Sequence, residues 1–238
     1  MTSSNTAREV QKRLKKLGDP EHAAVGQRFF KTGPGEYGEG DKFLGIRMPV
    51  LRELAGEFRN LPVSEGEILL HSPFHEERIL AILILIRNFK KKDGKACKYI
   101  YELYLKSTEY IYNWDLVDVS AAHIVGAYLI HKNKRPLYRL ARSKNLWERR
   151  IAIVATFEYI KHHEFSETLK IAQILLTDPH DLIHKATGWM LREIGKRDVA
   201  TEEAFLTEHY KKMPRAMLRY AIEKFPEGKR QGYLNGKI

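Results

Sequence analysis

The sequence has almost no cysteine and no long hydrophobic run. Cys97 is the only cysteine among 238 residues, which permits no intramolecular disulfide and no Cys-x-x-Cys metal site. The longest aliphatic run, residues 79–86, falls far short of the roughly 20 apolar residues that a membrane-spanning helix needs. The first residues also lack an apolar segment of the secretory kind. We therefore expect a cytoplasmic protein without a membrane partner, in which Cys97 is a core residue.

Acidic residues are too few to balance the basic ones. The chain has 41 Lys and Arg against 30 Asp and Glu, a formal net charge of +11 and an estimated pI of 9.5. Clustered cations release counterions from phosphates, so this surplus favours a polyanionic partner. Nucleic acid is the first expectation and an acidic membrane surface the second, and the charge does not choose between them.

Strand signals are nearly absent as well. β-Branched and aromatic residues recur with a period of about 3.6, as in Trp147, Ile151, Val154 and Phe157, and do not alternate. The fold class predicted is therefore all-α. Since nothing resembles a long linker, we expect one domain over 1–238. It would comprise N-terminal helices in 1–60 with a glycine-rich loop at 31–42, repeats in 61–225 and a basic tail at 226–238.

A degenerate repeat organises the chain. Five apolar helical segments each carry one charged residue near their start, 32 to 40 residues from the next. This spacing lies near the HEAT and tetratricopeptide periods of about 34 to 47 residues. It predicts a right-handed α-solenoid of antiparallel helix pairs, whose concave face would carry the five anchors. The anchors are Arg78, Asp118, Arg150, Lys185 and Arg219.

Four of the five anchors are basic, which favours a phosphate-binding stripe over a merely solvated charged face. Arg149 and Arg47 are further candidates for DNA binding. Asp118 is the one acid in this row of bases. It is either a functional carboxylate or a helix-start residue favoured by the helix dipole.

All three tryptophans lie within four residues of an anchor. Trp114 precedes Asp118 by four residues and Trp189 follows Lys185 by four, so each pair shares a helix face. Tryptophan usually packs in a core, but these two are also candidates for a groove rim, where a flat ring can touch a sugar or a base. Trp147 is expected to be structural.

Four sequence elements together carry a resemblance to a known family. They are WDLVD at 114–118, WERR at 147–150, KATGWMLRE at 185–193 and FLGIRMP at 43–49. In combination they resemble the bacterial AlkD family of DNA alkylation repair glycosylases, over most of the chain.

The resemblance implies a HEAT-like solenoid that wraps duplex DNA and hydrolyses the N-glycosidic bond of cationic alkylpurines such as 7-methylguanine and 3-methyladenine. Asp118 matches the family's catalytic aspartate, Trp114 and Trp189 match its groove tryptophans, and Arg150 matches an arginine near the lesion. The alternative for Arg150 is a salt bridge to Asp118 or Glu148. The expected partner is double-stranded DNA that contains alkylated bases. We expect the protein to be a monomer, located in the cytoplasm and associated with the nucleoid.

Two alternatives stay open. The lesion is either flipped into a pocket or left stacked while the backbone is gripped. The protein is either a glycosylase or a noncatalytic HEAT-like protein that recognises damaged, bent or branched DNA by shape and phosphate contacts.

The remaining motifs predict no cofactor. The loop 31–42 contains a literal G-x-G-x-x-G at Gly33, Gly35 and Gly38, but no strand precedes it, so we interpret it as a mobile loop. The histidines lack partners at a metal-ligand spacing, so no metal is expected. Asp115 is interpreted as a first-turn cap together with Asn113.

Overall fold

The computed structural model describes residues 5–91 and 94–238, and most of these are helical. The described residues contain no strand beyond an isolated β-bridge between Lys42 and Phe74. The all-α fold class predicted from the sequence is confirmed. No helix in the described ranges is long and apolar enough to cross a membrane.

The helices group into two compact units, the first ending at Ser120 and the second running from Ala121 to Ile238. In the first unit lie α1 (Ala7–Leu17), α2 (Pro20–Phe29), α3 (Met48–Glu57), α4 (Val63–Leu70), α5 (His75–Lys91), α6 (Gly94–Lys106), a 3-10 turn (Thr108–Tyr110) and most of α7 (Trp114–Ala121). The single domain expected from the sequence stays a prediction.

The second unit opens with a π-helical turn. Its elements are that turn (Ala122–Gly126), α8 (Ala127–Leu129), α9 (Arg135–Ala141), α10 (Leu146–Ala155), α11 (Phe157–Lys161), α12 (Ser166–Ile174), α13 (Asp181–Gly195), α14 (Val199–His209), α15 (Arg215–Ala221), a 3-10 turn (Ile222–Lys224) and α16 (Glu227–Leu234).

Polar caps and prolines set the helix starts. The side chain of Asp19 accepts backbone N–H groups of α2, and Asn145 and Asp198 do the same for α10 and α14. Pro20 and Pro136 occupy the first turns of α2 and α9, where the missing N–H has no intrahelical partner to lose. These helix starts follow the sequence rules, whereas α12 begins without a side-chain cap.

The five anchors share one helical register. Each lies three or four residues after the first residue of its helix, in α5, α7, α10, α13 and α15. Their environments nevertheless differ, because Arg78 and Arg150 are buried, Asp118 and Lys185 are half-buried and Arg219 is exposed.

Close backbone contact joins α13 and α15. A Cβ atom added at Gly188 of α13 would lie 2.3 Å from the carbonyl oxygen of Met217 in α15. Since real Cβ atoms do not approach an oxygen so closely, only glycine permits this packing. Gly188 belongs to the same segment as Lys185 and Trp189, so this contact also sets where those two side chains lie.

The C-terminal segment is helical, and the expectation that Cys97 is a core residue is corrected. The C-terminal tail folds as α16, because Tyr233 is buried against the rings of Tyr210 and Phe225. Cys97 is only half-buried in α6, with its thiol directed at the carbonyl of Phe89.

Candidate functional site

Helix α7 presents Trp114 and Asp118 on one face. Both side chains are half-buried. The indole of Trp114 stacks on Phe30, with ring centroids 5.3 Å apart at 25°, and meets the edge of Phe29 at 5.9 Å. The end of α2 therefore holds the Trp114 ring in place, as edge and offset-stacked aromatic contacts do.

Tyr104 lies within electrostatic reach of Asp118. Its hydroxyl is buried and bonded to Ser120 Oγ at 2.7 Å. The pKa of Tyr104 is raised by burial, opposed by the hydrogen bond to Ser120 and reinforced by the charge of Asp118. Tyr104 stays a neutral phenol beside the candidate carboxylate.

A buried ion network lies beneath the first turn of α7. His75 Nε2 is 2.8 Å from Asp115 Oδ2, and His75 Nδ1 is 2.8 Å from Asp41 Oδ2. Two carboxylates can both be satisfied only by an imidazolium that donates from each nitrogen. Burial lowers the pKa of His75, but the charges and hydrogen bonds of Asp115 and Asp41 outweigh it and raise that pKa to about 9.

Arg78 completes this network and is not available to DNA. Its guanidinium is fully buried, donates to Asp41 Oδ1 at 2.7 Å and to the Ser72 carbonyl at 3.0 Å, and lies 4.3 Å from the ring centre of Tyr112. An ion pair with Asp41 neutralises it in a place that no phosphate reaches. The predicted phosphate contact of Arg78 is therefore replaced by a structural role.

The structure adds to two further interpretations. Asp115 does lie in the first turn of α7, but its Oδ2 bonds to His75, so it joins elements in addition to capping a helix. The loop 31–42 is anchored at its end by Asp41, which is 3% exposed. The carboxylates of Glu36 and Glu39 accept the N–H groups of Gly33 and Gly35, so those amides do not face a phosphate.

Glu76 holds the segment FLGI against α5. Its carboxylate accepts the backbone N–H groups of Leu44, Gly45 and Ile46 at 2.8, 2.7 and 3.2 Å. Gly45 has φ +82°, and an added Cβ would lie 2.1 Å from the carbonyl oxygen of Asp19. This turn places Arg47 at the start of α3, exposed and 2.6 Å from His22 Nε2.

A mainly apolar cavity of about 320 Å³ opens beside this cluster. Phe29, Phe30 and Phe43 line it together with His75 and Arg47. Phe43 stacks on the His75 ring at 4.4 Å. Within the described residues of the first unit, the cavity therefore lies next to the same ring cluster that holds Trp114.

In the second unit, Arg149 and Arg150 fasten α10 to the start of α13. Arg149 Nε donates to Asp178 Oδ2 at 2.6 Å, and its Nη1 donates to two backbone carbonyls. Arg150 is buried and donates to the carbonyl of Leu182 at 2.5 Å. Arg149 is thus committed to internal partners where a phosphate contact was expected.

The other predicted residues of the second unit are more accessible. Trp189 is half-buried, with its Nε1 donating to Glu193 Oε1 at 3.3 Å and its ring 6.1 Å from Phe157. Lys185 is paired with Asp181 one turn earlier, and both side chains are partly exposed. Arg219 is exposed on α15.

The sequence reasoning missed the segment His75-Glu76-Glu77-Arg78 as a functional support. A signal was present, because four ionisable residues directly precede the longest apolar run of the chain. Charged groups at the mouth of a buried helix need partners, and such groups usually find each other. The partners Asp41 and Asp115 are 34 and 40 residues from His75, and no spacing rule identifies them.

No described residues form a group of three or more His, Cys, Asp or Glu that could hold a metal ion. The chemistry available at α7 is therefore that of a carboxylate beside an aromatic ring on a basic, all-helical protein.

The comparisons with known proteins define the family. Residues 10–225 match the family model described as "DNA alkylation repair enzyme". The chain belongs to this family, which gives it a role in DNA repair. A solved structure described as "Predicted DNA alkylation repair enzyme from Enterococcus faecalis" is similar, with a TM-score of 0.69 and 19% identity over 88% of this chain and 97% of that one. At that identity the likeness concerns the fold alone. No curated protein matches the sequence.

Proposed function

We propose that this protein is a DNA glycosylase that hydrolyses the N-glycosidic bond of cationic alkylated purines, such as 7-methylguanine and 3-methyladenine, in duplex DNA. The observation that carries the proposal is the pairing of Trp114 and Asp118 on one face of α7. Membership of a DNA alkylation repair family supports it. We further propose that the enzyme acts as a monomer on double-stranded DNA and needs no cofactor.

One carboxylate suffices for this chemistry. Alkylation at N7 or N3 makes the purine cationic, so it leaves without being protonated. Positive charge then develops on the deoxyribose, where Asp118 stabilises it and orients the attacking water. The π face of Trp114 favours the same positive charge.

The buried network supports assigning this role to Asp118 and not to Asp115. Asp115 is bound to the His75 imidazolium and is 9% exposed, so it is already neutralised. Asp118 lies one turn later and is half-buried. By fixing the first turn of α7, the network keeps the Trp114 and Asp118 side chains in a defined direction.

The other motif residues enter the proposal with different weights. Arg150 and Trp189 remain candidates for contact with the lesion because of their motif resemblance. Arg47, Lys185 and Arg219 are proposed as phosphate contacts because their charged ends are at least partly exposed. The Lys185–Asp181 pair does not oppose this role, since exposed pairs are worth little and exchange readily for phosphate.

Release of free base from methylated duplex DNA tests the proposal. The wild-type protein should release 7-methylguanine, and Asp118→Asn should lose at least a hundredfold in rate, as removal of one electrostatic stabiliser does, by about 10² to 10³. Its affinity for DNA should stay within a few fold. Glu208→Gln, which also neutralises one carboxylate but at an exposed position of α14 away from the proposed site residues, is the control and should keep its activity.

Two outcomes would contradict the proposal. Unchanged release by Asp118→Asn would remove that carboxylate from the mechanism. DNA binding without release by the wild-type protein would favour the noncatalytic alternative, recognition of damaged, bent or branched DNA by shape and phosphate contacts.

A further inference from the structure

Helix α1 carries a cationic stripe that plays no part in the proposed reaction. Arg8, Lys12, Lys15 and Lys16 are all exposed and border one open groove together with Gln11. Residues four apart share a helix face, so Arg8, Lys12 and Lys16 follow one line, with Lys15 beside it. We call these four residues the α1 stripe.

The α1 stripe has no ion-pair partner among the residues that the structure describes. None of its four cations forms an ion pair with any other described residue. Several predicted DNA contacts behave in the opposite way, since Arg78, Arg149 and Lys185 each pair with an aspartate. Like charges four residues apart repel and weaken a helix, so the stripe is a cost to folding without a polyanion.

The opposite face of α1 is firmly packed. Ala7, Val10 and Leu14 are at most 2% exposed. The Ala7 N–H donates to Glu65 Oε2 at 2.7 Å, and Gln11 Nε2 donates to Glu77 Oε2 at 2.8 Å. An amphipathic helix that binds membranes inserts a free apolar face, and α1 has none to offer. A membrane surface is therefore the poorer partner for this stripe.

We propose that the α1 stripe is a second phosphate-binding surface, which takes the backbone of duplex DNA away from the reacting base. At 1.5 Å per residue the stripe spans about 12 Å. One strand of B-DNA carries a charge every 3.4 Å of axis, so about three phosphates lie within that length. The choice of duplex DNA as the partner rests on the proposed function.

The test compares Arg8→Gln/Lys12→Gln/Lys16→Gln with a control of equal charge. The control is Lys95→Gln/Lys144→Gln/Lys212→Gln, three exposed lysines on other elements. Affinity for undamaged duplex DNA is measured by fluorescence anisotropy between about 50 and 200 mM KCl. The slope of log affinity against log salt should fall by about 2 to 3 in the α1 variant, since each lost phosphate contact removes about 0.9. In the control it should fall by less than one.

Each alternative result has a distinct meaning. Equal slopes in the two variants, both folded by circular dichroism, would overturn the proposal. So would loss of binding to phosphatidylserine vesicles in the α1 variant while its DNA slope stays intact. Base release by the wild-type protein is measured separately. If the salt slope falls in the α1 variant but the wild-type protein releases no base, phosphate binding by the α1 stripe is supported and the proposed glycosylase activity is contradicted.

Discussion

His75 joins the loop 31–42 to α7 through its ring. It bonds to one carboxylate from the loop 31–42 and one from α7, and it stacks on Phe43. Together with Arg78 it forms a neutral set of two cations and two anions. Removing one member of such a set leaves an unpaired buried charge, which is costly.

The raised pKa of His75 predicts a pH-dependent stability. The histidine of the unfolded chain has a pKa of about 6.5, and that of the folded chain is about 9. The folded state therefore binds the extra proton, and its contribution of about 3 kcal/mol is complete below pH 6.5 and lost as the pH rises through 9. Urea unfolding of the wild-type protein between pH 6 and 10 should show this decline.

The variant His75→Gln should be less stable at pH 6.5 and should lack this dependence. His162→Gln, at an exposed position after α11, is the control and should behave like the wild-type protein. An unchanged slope of unfolding free energy against pH in His75→Gln would assign the decline to other groups.

At the scale of elements, the close contact between α13 and α15 can be tested by adding one methyl group at Gly188. Gly188→Ala would place a Cβ 2.3 Å from the Met217 carbonyl oxygen, so α13 and α15 must separate. Overpacking of this kind costs about 1 to 3 kcal/mol. We expect a lower thermal midpoint, measured by circular dichroism, and weaker DNA binding, because Lys185 and Trp189 move with α13.

Gly94→Ala is the matched control, since nothing lies within 4 Å of a Cβ at the start of α6. It should leave the thermal midpoint unchanged or raise it slightly. A midpoint for Gly188→Ala equal to that of Gly94→Ala would show that α13 and α15 tolerate the added methyl group.

Helix positions were largely predictable because their signals are local. All five anchors chosen from the repeat lie three or four residues into a helix, and Pro62, Pro136 and Pro214 fall at or just before helix starts. The helix within the basic tail was not predicted, because the packing of Tyr233 on Tyr210 and Phe225 is a tertiary contact that composition does not report.

At the scale of the whole molecule, the positive charges separate into internal and external sets. Arg78 is buried, and Arg219 is exposed. Arg78→Gln should lower the free energy of unfolding by about 3 kcal/mol, as loss of a buried partner does, and leave the salt slope of DNA binding unchanged. Arg219→Gln should leave unfolding unchanged and lower that slope by about one.

Denaturant unfolding and salt titrations on both variants check this division. The decisive measurement is the salt slope of Arg78→Gln at a temperature where circular dichroism shows it folded. If the salt slope fell as much as in Arg219→Gln, Arg78 would have to contact DNA.

Asp118 and the four basic anchors show which properties the sequence determines and which the tertiary structure determines. Apolar periodicity and caps determine helix register locally, so the sequence alone places Asp118 and the four basic anchors three or four residues into their helices. Its motifs also bring Trp114 and Asp118 to one helix face. Exposure and ion pairing depend on residues distant in sequence, such as Asp41 for Arg78 and Asp178 for Arg149. Only the tertiary structure decided which cations stay available for phosphate, because burying a charge requires a partner that local sequence does not specify.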